Sequence, residues 1–222
     1  MAVEQVLIIG LGQFGMALAE ALAKRGKDVI AVDRDEDRVQ RAASFAGVAM
    51  TMDAMDEAEL ASLDPGARDV CVCAIGDGNR EASILVTAML RQMGARRILA
   101  RATDDLHERI LRAIGAHEVL SPEHDYGERL AARLAVKGVV DRVPLGEDLV
   151  ITELAPPAAA RGRTLQELAL PRTAKVTVLA VRRGGHDGDR VLIPGPDTRV
   201  NAGDVLVVVG REGAAAAWAE GD

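Results

Sequence analysis

The segment Gly10-Leu11-Gly12-Gln13-Phe14-Gly15 constrains this chain more than any other feature. It follows an apolar run, Val6–Ile9, and precedes Met16, Leu18, Ala19, Leu22 and Ala23, which recur at helical spacing. A G-x-G-x-x-G segment between a strand and a helix is the setting in which such a loop binds nucleotide phosphates. Gly10 allows the tight turn. Gly12 has no Cβ, so the backbone can approach a phosphate. Gly15 lets the helix close onto the sheet. The helix N-terminus then offers free N–H groups and the positive end of its dipole.

A second strand, Val29–Val32, is closed by Asp33, about 20 residues beyond the glycine loop, where a ribose-binding carboxylate is expected. Asp33 would accept hydrogen bonds from ribose hydroxyls and repel a 2′-phosphate, which disfavours NADP, although the adjacent Arg34 could tolerate that phosphate. The plain alternative is a capping or turn aspartate. Asp53 and Gly76 follow the third and fourth strands, at the carboxyl edge where ligands sit; Asp53 is equally readable as a cap for the next helix. With Gln13, Phe14, Arg34 and Ala54 beside them, these residues form the candidate nucleotide set. Arg101, after the fifth strand, is either a phosphate contact or a surface residue.

The α/β rhythm continues through strands at Val48–Met52, Val70–Ile75, Ile98–Ala100 and Glu118–Leu120. Between them lie a helix capped by Asp35, an acidic helix over Asp56–Leu63, a helix starting at Asn79 or Ser83, and a helix over Asp104–Ile114 ending at Gly115. Strands separated by helices predict an α/β class, a Rossmann-like doubly wound parallel sheet. A helix over Glu123–Val136 follows, and then the rhythm stops. Short strands at Leu149–Leu154, Val176–Val181, Val191–Ile193 and Val205–Val209, a short helix Leu165–Leu168 and a terminal helix Glu212–Ala219 predict a small α+β domain. The expected division is residues 1–137 and 138–222.

Composition removes several functions. Aromatics are 2% of the chain, too few for a stacking platform, and a net charge of −7 opposes a nucleic-acid partner. No apolar run approaches the ~20 residues that span a bilayer, and no signal peptide precedes the first strand, so the expected setting is the cytoplasm. Cys71 and Cys73 alternate with Val72 in an apolar strand and read as buried side chains on one face. Residues 139–222 hold one histidine, His186, and one lysine, Lys175. His107, His117 and His124 read as surface or helix-end residues. No nucleophile, metal-ligand or hydrolase motif is present. A small NAD-dependent oxidoreductase is the competing reading, and the bare second domain argues against it. A DNA-bound sensor is disfavoured by charge.

The segments Ile9–Gly15, Val32–Asp35, Ala74–Gly76, Ala82–Leu85, Leu111–Ala116, Ser121–Asp125, Gly162–Leu170, Val178–Val181 and Gly203–Gly210, in this order and spacing, resemble the RCK regulatory subunits of Trk/Ktr potassium transporters. The resemblance covers nearly the whole chain. It implies a nucleotide-binding domain, a crossover helix and a small C-terminal domain, with homodimers assembled into a ring, octameric in count, beneath a membrane-embedded potassium channel or transporter subunit. Nucleotide binding would reshape the ring and gate potassium flux. The ligand implied is ATP/ADP or NAD(H); ATP-sensing relatives often carry Arg where this chain has Gln13, which leaves the choice open. The resemblance also implies that Glu123 meets its dimer mate near the phosphates, where Mg²⁺ or Ca²⁺ would relieve their repulsion. The plain reading of Glu123 is a first-turn residue favoured by the helix dipole. Finally, it implies a second effector site for cyclic di-AMP in the small domain, with Arg172 as the basic contact.

Overall fold

The structure, a computed structural model, describes residues 3–76, 78–135, 138–146, 148–184 and 190–220. His186, Gly185, Val136 and Lys137, all singled out from sequence, lie outside these. The chain forms two compact units, Met1–Glu123 and His124–Asp222.

The first unit is one parallel sheet. Its strands are β1 (Gln5–Ile9), β2 (Asp28–Asp33), β3 (Val48–Thr51), β4 (Val70–Cys73), β5 (Ile98–Arg101) and β6 (Glu118–Leu120), in the order β3-β2-β1-β4-β5-β6. Helices α1 (Gln13–Ala23), α2 (Glu36–Ala42), α3 (Glu57–Ser62), α4 (Arg80–Gln92) and α5 (Asp105–Ala113) connect them. The strands read as continuous apolar runs because both faces are covered. One face packs Leu7, Ile9, Cys71, Cys73 and Ile98, and the other packs Val6, Ile8, Val70 and Val72. The order reverses between β1 and β4, which opens a crevice at their carboxyl ends.

Both cysteines are free and fully buried on one face of β4. Burial pushes the Cys71 thiol up to about 12 and raises Cys73 as well. They are apolar side chains in practice.

Helix starts in this unit are set by short acidic or amide side chains. Asp35, Asp56, Asn79 and Asp104 accept first-turn N–H groups of α2, α3, α4 and α5. The third helix is thus capped by Asp56, and Asp53 is left for another role.

Helix α6 (Pro122–Ala135) leads into the second unit. There β7 (Val139–Pro144), β8 (Leu149–Leu154), β9 (Val176–Arg183), β10 (Arg190–Leu192) and β11 (Asp204–Arg211) form an antiparallel sheet in the order β10-β9-β11-β8-β7. Leu154, Leu170, Val181, Leu206 and Val208 fill its core. The short helices α7 (Leu165–Leu168) and α8 (Leu170–Thr173) and the terminal helix α9 (Ala214–Glu220) complete the unit. Thr164 and Glu167 form a capping box at α7. Asp204 is 2% exposed and receives both arms of the Arg183 guanidinium at 2.8 Å.

The sequence pattern predicts no strand at β7. That strand is an edge, paired to β8 alone, and its register shifts between Val139 and Asp141. A bulge of this kind breaks the alternation on which strand recognition depends.

Candidate functional site

A cavity of 480 Å³ opens at the carboxyl ends of β1 and β4. The glycine loop forms one wall. Gly10 has φ +95°, and its N–H donates to Val32 O at 2.8 Å. An added Cβ there would stand 3.0 Å from Ile75 N, so both conformation and space require glycine. Gly15 is buried in α1, and a Cβ on it would run into the Gly10 carbonyl oxygen. It brings helix and sheet together and does not line the cavity.

Gly12 differs from both. Its φ is −64°, open to any residue, and nothing lies within 4 Å of an added Cβ. Its missing side chain therefore matters only to something that enters the cavity. Gly12 is also the N-cap of α1 and supplies no capping side chain. The first-turn N–H groups that Asp or Asn satisfies in α2 to α5 receive no side-chain cap in α1, behind the loop. Gln13, exposed, and Phe14, half-buried, begin α1 and line the cavity.

The far side of β2 carries Asp33, 8% exposed. Its Oδ2 accepts from the Leu11 N–H at 2.5 Å and its Oδ1 from the Asp35 N–H at 2.9 Å. Arg38 Nη1 lies 3.6 Å from Oδ2, and Arg34 is exposed at the rim. Asp53 is exposed on the cavity wall; its Oδ1 accepts from the Met55 N–H at 3.0 Å, an Asx turn. Ala54 is nearly buried beside it.

Opposite the glycine loop, Arg101 is 8% exposed and lines the cavity, which removes the surface reading. A Cβ on Gly76 would collide with its guanidinium, so glycine makes room for it. Arg101 Nη2 pairs with Glu123 Oε1 at 2.6 Å. Glu123 is in the first turn of α6, its side chain 64% exposed, and it too lines the cavity. Within one chain its carboxylate therefore faces a cation already present. Among the described residues no three His, Cys, Asp or Glu side chains group as metal ligands. Arg172 is in the other unit, exposed on α8.

The expectation for His107, a surface or helix-end residue, holds for the helix end and fails for the surface. It is fully buried in the first turn of α5, with Nδ1 3.3 Å from Thr103 N. Among the described residues its buried Nε2 has no hydrogen-bond partner. Its place near the helix start does not reveal whether the fold covers it, and here the fold does. Sequence reasoning also missed Arg38, Asn79, Met52 and Met55, all on the cavity wall. Arg38, three residues after the Asp35 cap and 3.3 Å from its carboxylate, had a detectable helical-pair signal. The methionines had none.

Family models match the chain twice: the TrkA-N domain over residues 6–122 and the TrkA-C domain over residues 149–219. It is 36% identical to Ktr system potassium uptake protein A of Vibrio alginolyticus, over 94% of this chain and 93% of that one. It is 32% identical to Ktr system potassium uptake protein C of Bacillus subtilis, over 93% and 92%. Among solved structures it is similar in fold to the GsuK channel bound to NAD, with TM-score 0.67 at 20% identity. That match spans 98% of this chain and 39% of the channel's, so this chain has less than half the channel's length. The glycine loop and all of its cavity lining but Glu123 lie within the first matched domain, the antiparallel sheet largely within the second, and the chain belongs to the family of TrkA-N and TrkA-C domain proteins that includes the Ktr potassium uptake proteins.

Proposed function

We propose that this protein is the nucleotide-sensing regulatory subunit of a potassium uptake system. It binds an adenine nucleotide in the 480 Å³ cavity, with phosphates over Gly10–Gly15 and ribose toward Asp33. The observation that carries this reading is Gly12: a residue whose missing side chain serves nothing within the fold, at the uncapped start of α1, facing a cavity at the sheet's switch point. The kinship to potassium uptake proteins supplies the transported ion. Among the described residues no helix is long and apolar enough to cross a membrane, and in this reading a partner subunit spans it. The ligand-driven step is conformational, with no bond made or broken.

The ligand class is ATP/ADP or NAD(H). Gln13 contributes no charge at the loop, whereas Arg101 holds one inside the cavity. Glu123, once withdrawn from Arg101, is free to share Mg²⁺ or Ca²⁺ with a second copy in an assembled ring. Arg172 on the small domain is the basic group for cyclic di-AMP, because its guanidinium fork matches a phosphate.

A thermal-shift titration with ATP, ADP, AMP, NAD⁺ and NADH tests the reading. A specific ligand at 100- to 1,000-fold its Kd stabilises the fold by about 3–4 kcal/mol. No stabilisation by any of the five overturns it.

A further inference from the structure

Asp33 is the expected ribose acceptor, yet its carboxylate is already engaged inside the protein. Oδ2 takes the Leu11 N–H at 2.5 Å, a buried contact. One residue earlier, the Gly10 N–H donates to Val32 O at 2.8 Å. Two consecutive loop amides are thus tied to two consecutive residues at the end of β2. Oδ1 takes the Asp35 N–H, and Asp35 in turn caps α2 through the amides of Asp37 and Arg38. Arg38 returns toward Asp33 at 3.6 Å. One carboxylate therefore joins the glycine loop, the β2–α2 turn and an arginine of the cavity wall. Gly10 sits in this loop at φ +95°, a conformation that favours glycine. A glycine-rich loop has more backbone freedom to lose than any other, and a ligand that must order it binds more weakly. The Leu11 N–H to carboxylate bond is charge-assisted and lies in a buried setting, where such bonds are strong.

We infer that Asp33 is a positioning residue for the phosphate-binding loop: it holds Gly10–Gly12 in the phosphate-receiving shape before a ligand arrives, independently of any contact with ribose. The inference rests on the nucleotide reading of the cavity. It implies that nucleotides without ribose hydroxyls depend on Asp33 as well as those that have them.

The test is calorimetry on the full chain with ADP and with 2′,3′-dideoxy-ADP, alongside hydrogen exchange of the ligand-free loop. Asp33→Ala is expected to weaken both ligands, dideoxy-ADP included, by about tenfold or more, the size of a lost charge-assisted hydrogen bond. Asp33→Asn keeps a carbonyl oxygen for the Leu11 N–H and is expected to restore most of the dideoxy-ADP affinity. In the Ala variant the Leu11 amide exchanges faster while α4 and α5 keep their protection. A loss confined to ADP, with dideoxy-ADP unchanged, overturns the inference and leaves a ribose contact alone. If the Ala variant does not fold, Asp33→Ser, which likewise removes the carboxylate from the Leu11 N–H, takes its place in both measurements. A wild-type chain that binds neither ligand defeats the nucleotide reading instead. The exchange measurement then judges the tether separately, and unchanged protection at Leu11 in Asp33→Ala, or in Asp33→Ser where the Ala variant does not fold, would overturn it.

Discussion

Gly12 and Gly15 are three residues apart and are expected to fail in opposite ways. Gly12→Asp adds a side chain where nothing lies within 4 Å and φ is ordinary, so the melting temperature should barely move. The new carboxylate would occupy the phosphate position and repel the ligand, and nucleotide binding should fall by about a hundredfold or more. Gly15→Ala pushes a methyl group into the Gly10 carbonyl, so α1 must move off the sheet. That variant should lose about 3 kcal/mol or more of stability by chemical denaturation. Equal melting temperatures for the two variants would show that the loop does not divide its glycines in this way.

The α5 helix stores a pH response in His107. Burial, and next the Arg80 guanidinium, lower its pKa from the ordinary 6.5, while Asp104 opposes them. Arg80 and Asp104 are themselves paired between the start of α4 and the cap of α5. His107 is therefore neutral in the folded chain at a pH where the unfolded chain protonates it. Its contribution is fully present above about 6.5 and is lost as pH falls from there toward its lowered folded value. Asp204, lowered by the Arg183 hydrogen bonds, follows the same sign but acts below 3.8. Urea denaturation should thus show a loss of stability as pH falls below about 6.5 that His107→Gln reduces. An unchanged pH slope in that variant assigns the effect elsewhere.

At the scale of the assembled protein, the proposed ring predicts a particle larger than a dimer in solution. Met89, Met93 and Ile114, apolar residues suited to helix contacts, are mostly spent on the core of their own unit. Exposed apolar side chains such as Leu85 and Leu106 remain on α4 and α5 for such contacts. Light scattering that gave only monomer at micromolar concentration would count against the ring. Reconstituted with its membrane partner, the protein should change potassium flux when nucleotide is added, and divalent ions should modify that response. Glu123→Gln is expected to abolish the ion dependence while nucleotide affinity stays within about threefold, since Arg101 remains in the cavity and loses only a competitor. Identical ion dependence in wild type and variant would remove the cation from the mechanism and leave Glu123 as the partner of Arg101.

Local chemistry is legible in the amino-acid order. Strand, glycine loop and helix at residues 6–23 follow from apolar periodicity and from the steric freedom of glycine, both properties of adjacent residues. The caps at Asp35, Asn79 and Asp104 and the left-handed Gly115 follow equally from short-range hydrogen bonding. The parallel sheet follows from the alternation of these signals. What depends on residues distant in the chain is not legible there. Arg101 and Glu123 meet because β5 and β6 are neighbours, and Gly76 admits that guanidinium from a third element. His107 is buried because of what covers its helix face, which helical spacing does not encode. The Asp33 carboxylate reaches Leu11 across the gap between β1 and β2, so its engagement depends on the pairing of those strands. The strand Val139–Pro144 exists through its pairing with β8 across a bulge, a partnership its own six residues do not announce. Sequence determined the elements of the parallel sheet and the loop that faces the ligand; tertiary structure decided which distant charges stand around it, because long-range electrostatics and packing act on positions that only the fold brings together.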